Sequence, residues 1–172
     1  RSMEEYAEDF RSVYNRGWAN FVGVKPIDRE HALALLNSMR PIIDEKLMYF
    51  AYYDDQPIGF YLMIPDLNNV IAPLHGHFNW WGKLRFIWRL KVRRKATRIF
   101  ALIFGVAPEF QGKGIESGMM YSFEQEVAKG TVNHYQSLEL AWIGDFNPMM
   151  MRVFETLVCA KKHKMHPPYR YL

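Results

Sequence analysis

The 172-residue chain is the size of one ordinary domain, and its 49% hydrophobic and 16% aromatic content suits a folded globule with a single buried core rather than a disordered segment. No apolar run approaches the roughly 20 residues that a membrane-spanning helix needs, and the opening "RSMEEYAEDF" lacks the apolar stretch of a secretory signal. One cysteine, Cys159, excludes a disulfide within the chain, which makes a cytoplasmic setting the expectation. The net charge of +4 is concentrated: residues 83–98 hold eight bases and no acid, and subtracting those eight from 22 leaves 14 bases against 18 acids elsewhere. The chain opens on Arg1 instead of methionine, so it is expected to begin in effect at Met3 behind a tag or to be part of a longer protein.

In chain order, Tyr6, Phe10, Val13, Tyr14 and Trp18 recur at helical spacing, which predicts an amphipathic helix ended with the help of Gly17 or Gly23. A second helix is expected from Asp28, its cap, to Pro41, with Ala32, Leu33, Leu35, Leu36 and Met39 on the buried side. The period then changes. "KLMYFAYYDDQPIGFYLMIP" reads as two strands around a tight acidic turn. Residues 67–97 form a long connection, expected to be helical over 81–93. "RIFALIFGVAP" is a strand, and "ESGMMYSFEQEVAKG" a helix carrying Met119, Met120, Phe123 and Val127 on one side up to Gly130. "QSLELAWIG" is a further strand, "NPMMMRVFETLVCA" a helix with Pro148 in its first turn, and "KKHKMHPPYRYL" a closing strand. The order suggests an α/β domain built on a mixed sheet covered by helices.

The stretch "GVAPEFQGKGIESG" places glycines between a strand and a helix, where a backbone can approach phosphates. A P-loop would need a glycine where Ala107 stands and a hydroxyl where Gly114 stands. A dinucleotide fingerprint would need a shorter gap than that between Gly114 and Gly118. Both fail on spacing. Gln111 and Gly114 instead match the coenzyme A signature [RQ]-x-x-G-x-[GA], with Val106 and Pro108 ahead of it. The chain thereby resembles the GNAT superfamily of N-acyltransferases, over about residues 5–170. "AYYDDQPIGFYLM" is similar to that family's hairpin, and "LELAWIGDFNPMMMRVFETL" to its later motif, with Asn147 and Phe154 at the two marker positions. With the ending "YRYL", the likeness extends to bacterial GNAT-like proteins in which such a domain can form only the C-terminal part of the chain.

The resemblance implies one GNAT-like domain over 1–172, with a basic aromatic insertion around 75–97, and a mostly antiparallel mixed sheet with helices on both faces. It implies acetyl-CoA or another acyl-CoA as co-substrate and a small-molecule or peptide amine as acceptor. The pyrophosphate would lie on Gly112, Lys113, Gly114, Ile115, Glu116 and Ser117, helped by Gln111 and Asn147. The pantetheine arm would pair with the backbone of Phe104, Gly105 and Val106, where an N–H would polarise the thioester carbonyl. Glu139 would be the general base acting through water, its alternative being a salt-bridge partner, and Asp145 is a second possible base or a helix cap. Two departures bear on activity. Glu116 stands where glycine or alanine is usual, so its carboxylate must turn away from the phosphates or compete with them for the same N–H groups. Phe154 replaces the tyrosine that protonates the leaving thiolate, which leaves water, Tyr169 or Tyr171 for that step. A GNAT-shaped binding module with little or no transfer therefore stands as the alternative.

His75 and His77 would share a strand face and His163 and His166 could pair only in a helix, but neither pair has a carboxylate or cysteine at ligand spacing, so no metal is expected. Cys159 has no evident activating partner and reads as packing. Within residues 83–98 and the aromatics before them, a helix would place Trp81, Leu84, Ile87, Trp88 and Val92 on one side. Such a segment suits an anionic membrane surface, an acidic partner such as an acyl carrier protein, or nucleic acid. Its structural alternative is a connector that packs these aromatics on the sheet and leaves the bases in water.

Overall fold

A computed structural model describes residues 1–18, 25–76, 79–140, 152 and 155. The chain divides into two compact units, Arg1–Ala141 and Trp142–Leu172. In the second, Arg152 and Glu155 are helical and exposed, as the pattern from Asn147 onward predicts. The rest of the later motif and the closing strand, with Asp145, Asn147, Phe154, Cys159, His163, His166, Tyr169 and Tyr171, lies outside the described residues.

Among the described residues the first unit holds a four-stranded sheet in the order β1-β2-β3-β4. Strands β1 (Met48–Tyr53) and β2 (Gln56–Pro65) form the expected hairpin. Its two-residue turn is Asp54-Asp55, both with positive φ (46° and 60°), the geometry that matches the twist of the flanking strands. Strand β3 (Arg98–Val106) pairs antiparallel with β2, and β4 (Ser137–Leu140) pairs parallel with β3. The sheet is thus mixed and mostly antiparallel, as expected. Among the described residues the β3–β4 ladder spans only Arg98–Ala101 on β3. Just beyond it Leu102 is an extra residue, because Leu62 faces Ile103 while Met63 faces Ala101.

Helices cover both faces. Helix α1 (Met3–Trp18) and helix α2 (Arg29–Met39) share one side. Ala7, Phe10 and Val13 of α1 meet Ala32 and Leu36 of α2 over Phe60 and Leu62 of β2. Fully burying a side chain such as Leu36 or Phe60 stabilises by about 1.5–3 kcal/mol, and both are essentially inaccessible. Asp28 caps α2 as expected, its Oδ1 accepting from the His31 N–H at 2.8 Å. Two details differ from the sequence reading. Leu35 is exposed, because it falls a quarter-turn off the Ala32–Leu36–Met39 line. Gly17 lies inside the last turn of α1, close under the Val106 carbonyl, and not after it, while Gly23 lies outside the described residues.

The connection from β2 to β3 holds a short helix α3 (Asn68–Ile71), a 3₁₀ turn (Ala72–Leu74), and helix α4 (Trp80–Ile87), which continues as a π turn over Trp88–Val92. The helix expected over 81–93 is therefore present. His75 ends the 3₁₀ turn in a left-handed conformation, so the strand face that it and His77 were expected to share does not form, and His77 itself lies outside the described residues. No helix among the described residues is long and apolar enough to cross a membrane. Helix α5 (Ile115–Ala128) lies on the opposite face from α1 and α2. Met119 and Met120 are buried and Phe123 meets Tyr49, but Val127 is 48% exposed, because it lies in the last turn, where α5 runs off the sheet.

Candidate acyl-donor site

The site grows from the alternation of β3. The Ala107 N–H donates to the Ile58 carbonyl at 2.8 Å, so in this antiparallel register Gly105 and Ile103 also exchange bonds with β2. Phe104 and Val106 therefore turn their backbone polar groups to the other edge of the strand. The Val106 carbonyl on that edge accepts from Gln111 Nε2 at 3.0 Å. Gln111, expected among the cofactor-binding residues, thus ties the glycine turn back onto the end of β3.

Gly105 has a packing role. A Cβ there would come within 2.8 Å of Phe60 Cζ, so the missing side chain lets the buried Phe60 ring lie flat on β3. Gly59 does the same on the other face. A Cβ there would meet Met119 Cε at 3.1 Å and Ile115 Cγ2 at 3.3 Å, so its absence brings the start of α5 down onto the sheet.

Gly112 and Gly114 both sit at positive φ (70° and 85°), where other residues are strained. A Cβ at either would meet nothing within 4 Å among the described residues, so the turn presents open backbone to them. Gly114 is the N-cap of α5 and, having no side chain, does not cap the helix itself. The N–H groups of Ile115, Glu116 and Ser117 have no carbonyl within the helix to bond, and they carry the positive end of its dipole. Ser117 and Lys113 are exposed, and Lys113 Nζ lies 5.3 Å from the centre of the Phe110 ring.

Glu116 is the residue the resemblance could not place. Its side chain is not turned away from the turn: Glu116 is only 9% exposed and Oε1 accepts from the Gly112 N–H at 3.5 Å. The contact is long for a hydrogen bond, yet it sets a carboxylate against one of the donors a phosphate would use.

Arg16, which the sequence reading did not single out, supports the turn from α1. It donates to the Pro57 carbonyl and pairs with Glu109 at 2.9 Å, while its buried Nε has no hydrogen-bond partner among the described residues. Its place in the last turn of α1 was the one local signal, since a base there suits the helix dipole. Glu139 faces Phe100 in the β3–β4 ladder and pairs with Arg98 at 3.2 Å, so the salt-bridge reading of this residue is realised. Phe100 is four residues before Phe104, about 13 Å along a strand. Under α5, burial raises the hydroxyls of Tyr61 and Tyr49 above their ordinary range, Tyr49 to about 12, so neither is a base at neutral pH.

No family model matches the chain. Two curated relatives are each 26% identical over 163 residues: bacterial ceramide synthase of Caulobacter vibrioides (strain NA1000 / CB15N) and protein YghO of Escherichia coli (strain K12). The chain spans 41% of the length of either. Among solved structures, the aminoglycoside acetyltransferase AAC(6')-Iy, bound to a CoA bisubstrate analogue, aligns over 98% of this chain and 92% of its own with a TM-score of 0.59 at 14% identity. A ribosomal-protein-alanine N-acetyltransferase from Brucella melitensis biovar Abortus 2308 covers 98% and 94% with a TM-score of 0.53 at 13% identity. At such identities the likeness speaks to architecture. The mixed sheet, the helix behind a glycine turn and these neighbours together show that the chain has the GNAT fold.

Proposed function

We propose that the chain is an N-acyltransferase domain that uses acetyl-CoA or another acyl-CoA, with residues 75–97 as an insertion. The observation that carries this reading is the open turn: two left-handed glycines before a helix, next to a strand whose Phe104 and Val106 polar groups face away from the sheet partner β2. The N–H groups of Ile115, Glu116 and Ser117 would hold the pyrophosphate, with Gly112 and Lys113 beside them. The pantetheine would add to the outer edge of β3. The backbone N–H of Val106 would take the thioester oxygen, which becomes negative as the amine adds to the carbonyl carbon. That addition forms the C–N bond, and collapse restores the carbonyl and breaks the C–S bond. The amine proton passes through a chain of waters to Glu139, and the thiolate takes a proton from water. A ceramide is an N-acylated long-chain amino alcohol, so the ceramide synthase relative supports a lipid amine as acceptor. The aminoglycoside acetyltransferases support a small polar amine.

The Glu116 contact favours a second reading, a GNAT-fold binding module with weak or no transfer. Calorimetric titration with acetyl-CoA and CoA tests both. Micromolar binding, lost in Gly114→Trp and in Ser117→Trp, is the expected result. Ser117 has ordinary helical geometry, so its variant guards against a folding defect at the strained glycine. No binding of either ligand to the unaltered chain would refute the donor site. Binding without acyl transfer to any amine in a panel would establish the module reading.

A further inference from the structure

Asn79 starts α4 by accepting from the Gly82 N–H at 2.9 Å. One side of the helix then packs inward. Gly82 and Leu90 are buried, and Phe86 joins a cluster with Val70, Ala96 and Tyr135. The opposite side is also apolar and faces water: Trp80 is 66% exposed, Trp81 72% and Val92 67%, with Leu84, Ile87 and Trp88 exposed between them. These six residues recur at helical spacing and make one stripe. The connector reading, with aromatics packed on the sheet, therefore does not hold for Trp80, Trp81 and Trp88, and Phe86 turns inward against Val70, Leu90, Ala96 and Tyr135 and not against a strand.

The surroundings of the stripe are basic throughout. Lys83, Arg85, Lys91, Arg93, Arg94 and Lys95 are exposed, and no carboxylate occurs between Asp66 and Glu109. Arg89 and Lys91 reach back to the carbonyls of Asn69, Val70 and Ile43 and staple the helix to the body. Arg93 lies over the Trp88 ring at 4.8 Å, at the border of the stripe. Among the described residues no carboxylate pairs with Lys83 or Arg85.

We propose that residues 80–95 seat the protein on an anionic phospholipid surface, with the tryptophan stripe in the acyl-chain boundary and Lys83, Arg85, Arg93, Arg94 and Lys95 on the lipid phosphates. Thirteen helical residues span about 20 Å, too short to cross a bilayer, so the helix lies in the plane of the interface. A second copy is disfavoured as the occupant, because a two-fold contact would set these bases against their own copies. Nucleic acid would satisfy the bases but leave Leu84, Ile87 and Val92 without an apolar neighbour. The segment joins the start of β3, and the glycine turn follows its end, roughly 26 Å away at strand rise, so seating leaves the turn clear of lipid. The inference rests on exposure and charge alone and does not require acyl transfer.

The test is co-sedimentation of the 172-residue chain with phosphatidylcholine vesicles, with and without phosphatidylglycerol. Binding should require phosphatidylglycerol, shift the tryptophan emission to shorter wavelength, and weaken with salt. Each base near an anionic surface contributes about fivefold, so Lys83→Gln/Arg85→Gln/Lys95→Gln should weaken it about 100-fold. Trp80→Ser/Trp81→Ser should abolish the shift without altering the far-UV circular dichroism, since both rings are exposed. Vesicle binding unchanged by either variant, or no dependence on phosphatidylglycerol, would overturn the proposal. So would a duplex oligonucleotide that binds more tightly than vesicles, or a dimer that dissolves in Trp80→Ser/Trp81→Ser.

Discussion

Replacing Glu116 by alanine should tighten coenzyme A binding. Its carboxylate lies 3.5 Å from the Gly112 N–H, in the turn that the diphosphate is proposed to occupy. A phosphate entering there meets a like charge at about 5 Å, which costs about 3 kcal/mol at an effective dielectric constant near 20. Part of this is relieved if the side chain swings out and loses its single long hydrogen bond, so a net gain of about 1–2 kcal/mol is expected, or about 5- to 30-fold in Kd. Glu116→Gln keeps the size and removes the charge, and should recover most of the gain. Calorimetry with CoA and with pantetheine, which lacks the phosphates, separates the causes: CoA should bind more tightly to both variants and pantetheine equally to all. An unchanged CoA affinity, or an equal gain for pantetheine, would refute the assignment of this turn to phosphate.

Gly105→Ala should destabilise the fold by about 1–2 kcal/mol, an overpacking cost set by the 2.8 Å approach to Phe60 and partly offset by reduced backbone entropy in the unfolded chain. Urea denaturation of the double variant with Phe60→Leu should show a smaller sum than the two single losses, and strict additivity would contradict the contact. Burial holds the His134 imidazole below its ordinary 6.5, so the unfolded chain binds more protons beneath that value. Stability should be full above 6.5 and fall as the pH drops below it, and His134→Gln should flatten this slope in urea midpoints. Glu139→Gln should lower kcat/KM about 100-fold if the carboxylate takes the proton, whereas a loss under twofold would leave it only the partner of Arg98.

The features readable from sequence were those coded within a few residues. The period of Tyr6, Phe10 and Val13 gave α1, the "DD" turn gave the hairpin, and the glycines at 112 and 114 marked the backbone that only they adopt easily. The limits of each apolar side were not readable, because Leu35 has core chemistry but falls beyond the packed arc, and Val127 lies on the arc of α5 but in its exposed last turn. For α4 the stripe was visible but not its direction, since both sides of the helix are apolar and only the neighbours Val70 and Ala96 decide which is inside. Contacts between distant residues were invisible: Arg16 with Glu109, and Gly105 under Phe60, connect segments that share no local pattern. The acid at 116 was legible as a departure, but only the fold shows that it bends back to Gly112.

The strand pairings also set an order of assembly. The hairpin Met48–Pro65 joins neighbours in the chain and can close in about 1–10 μs. Strand β3 must bring Ile99 to Pro65 and Val106 to Gly59 across the whole connection that contains α4, and such nonlocal closure is slow. Until β3 arrives, β2 is an unpaired edge carrying Phe60, Tyr61 and Leu62, a template for another hairpin of the same kind. Substitutions that unsettle the inner side of α4, at Phe86 or Leu90, are therefore expected to act first as lower refolding yield, before any loss is seen in the protein that does fold.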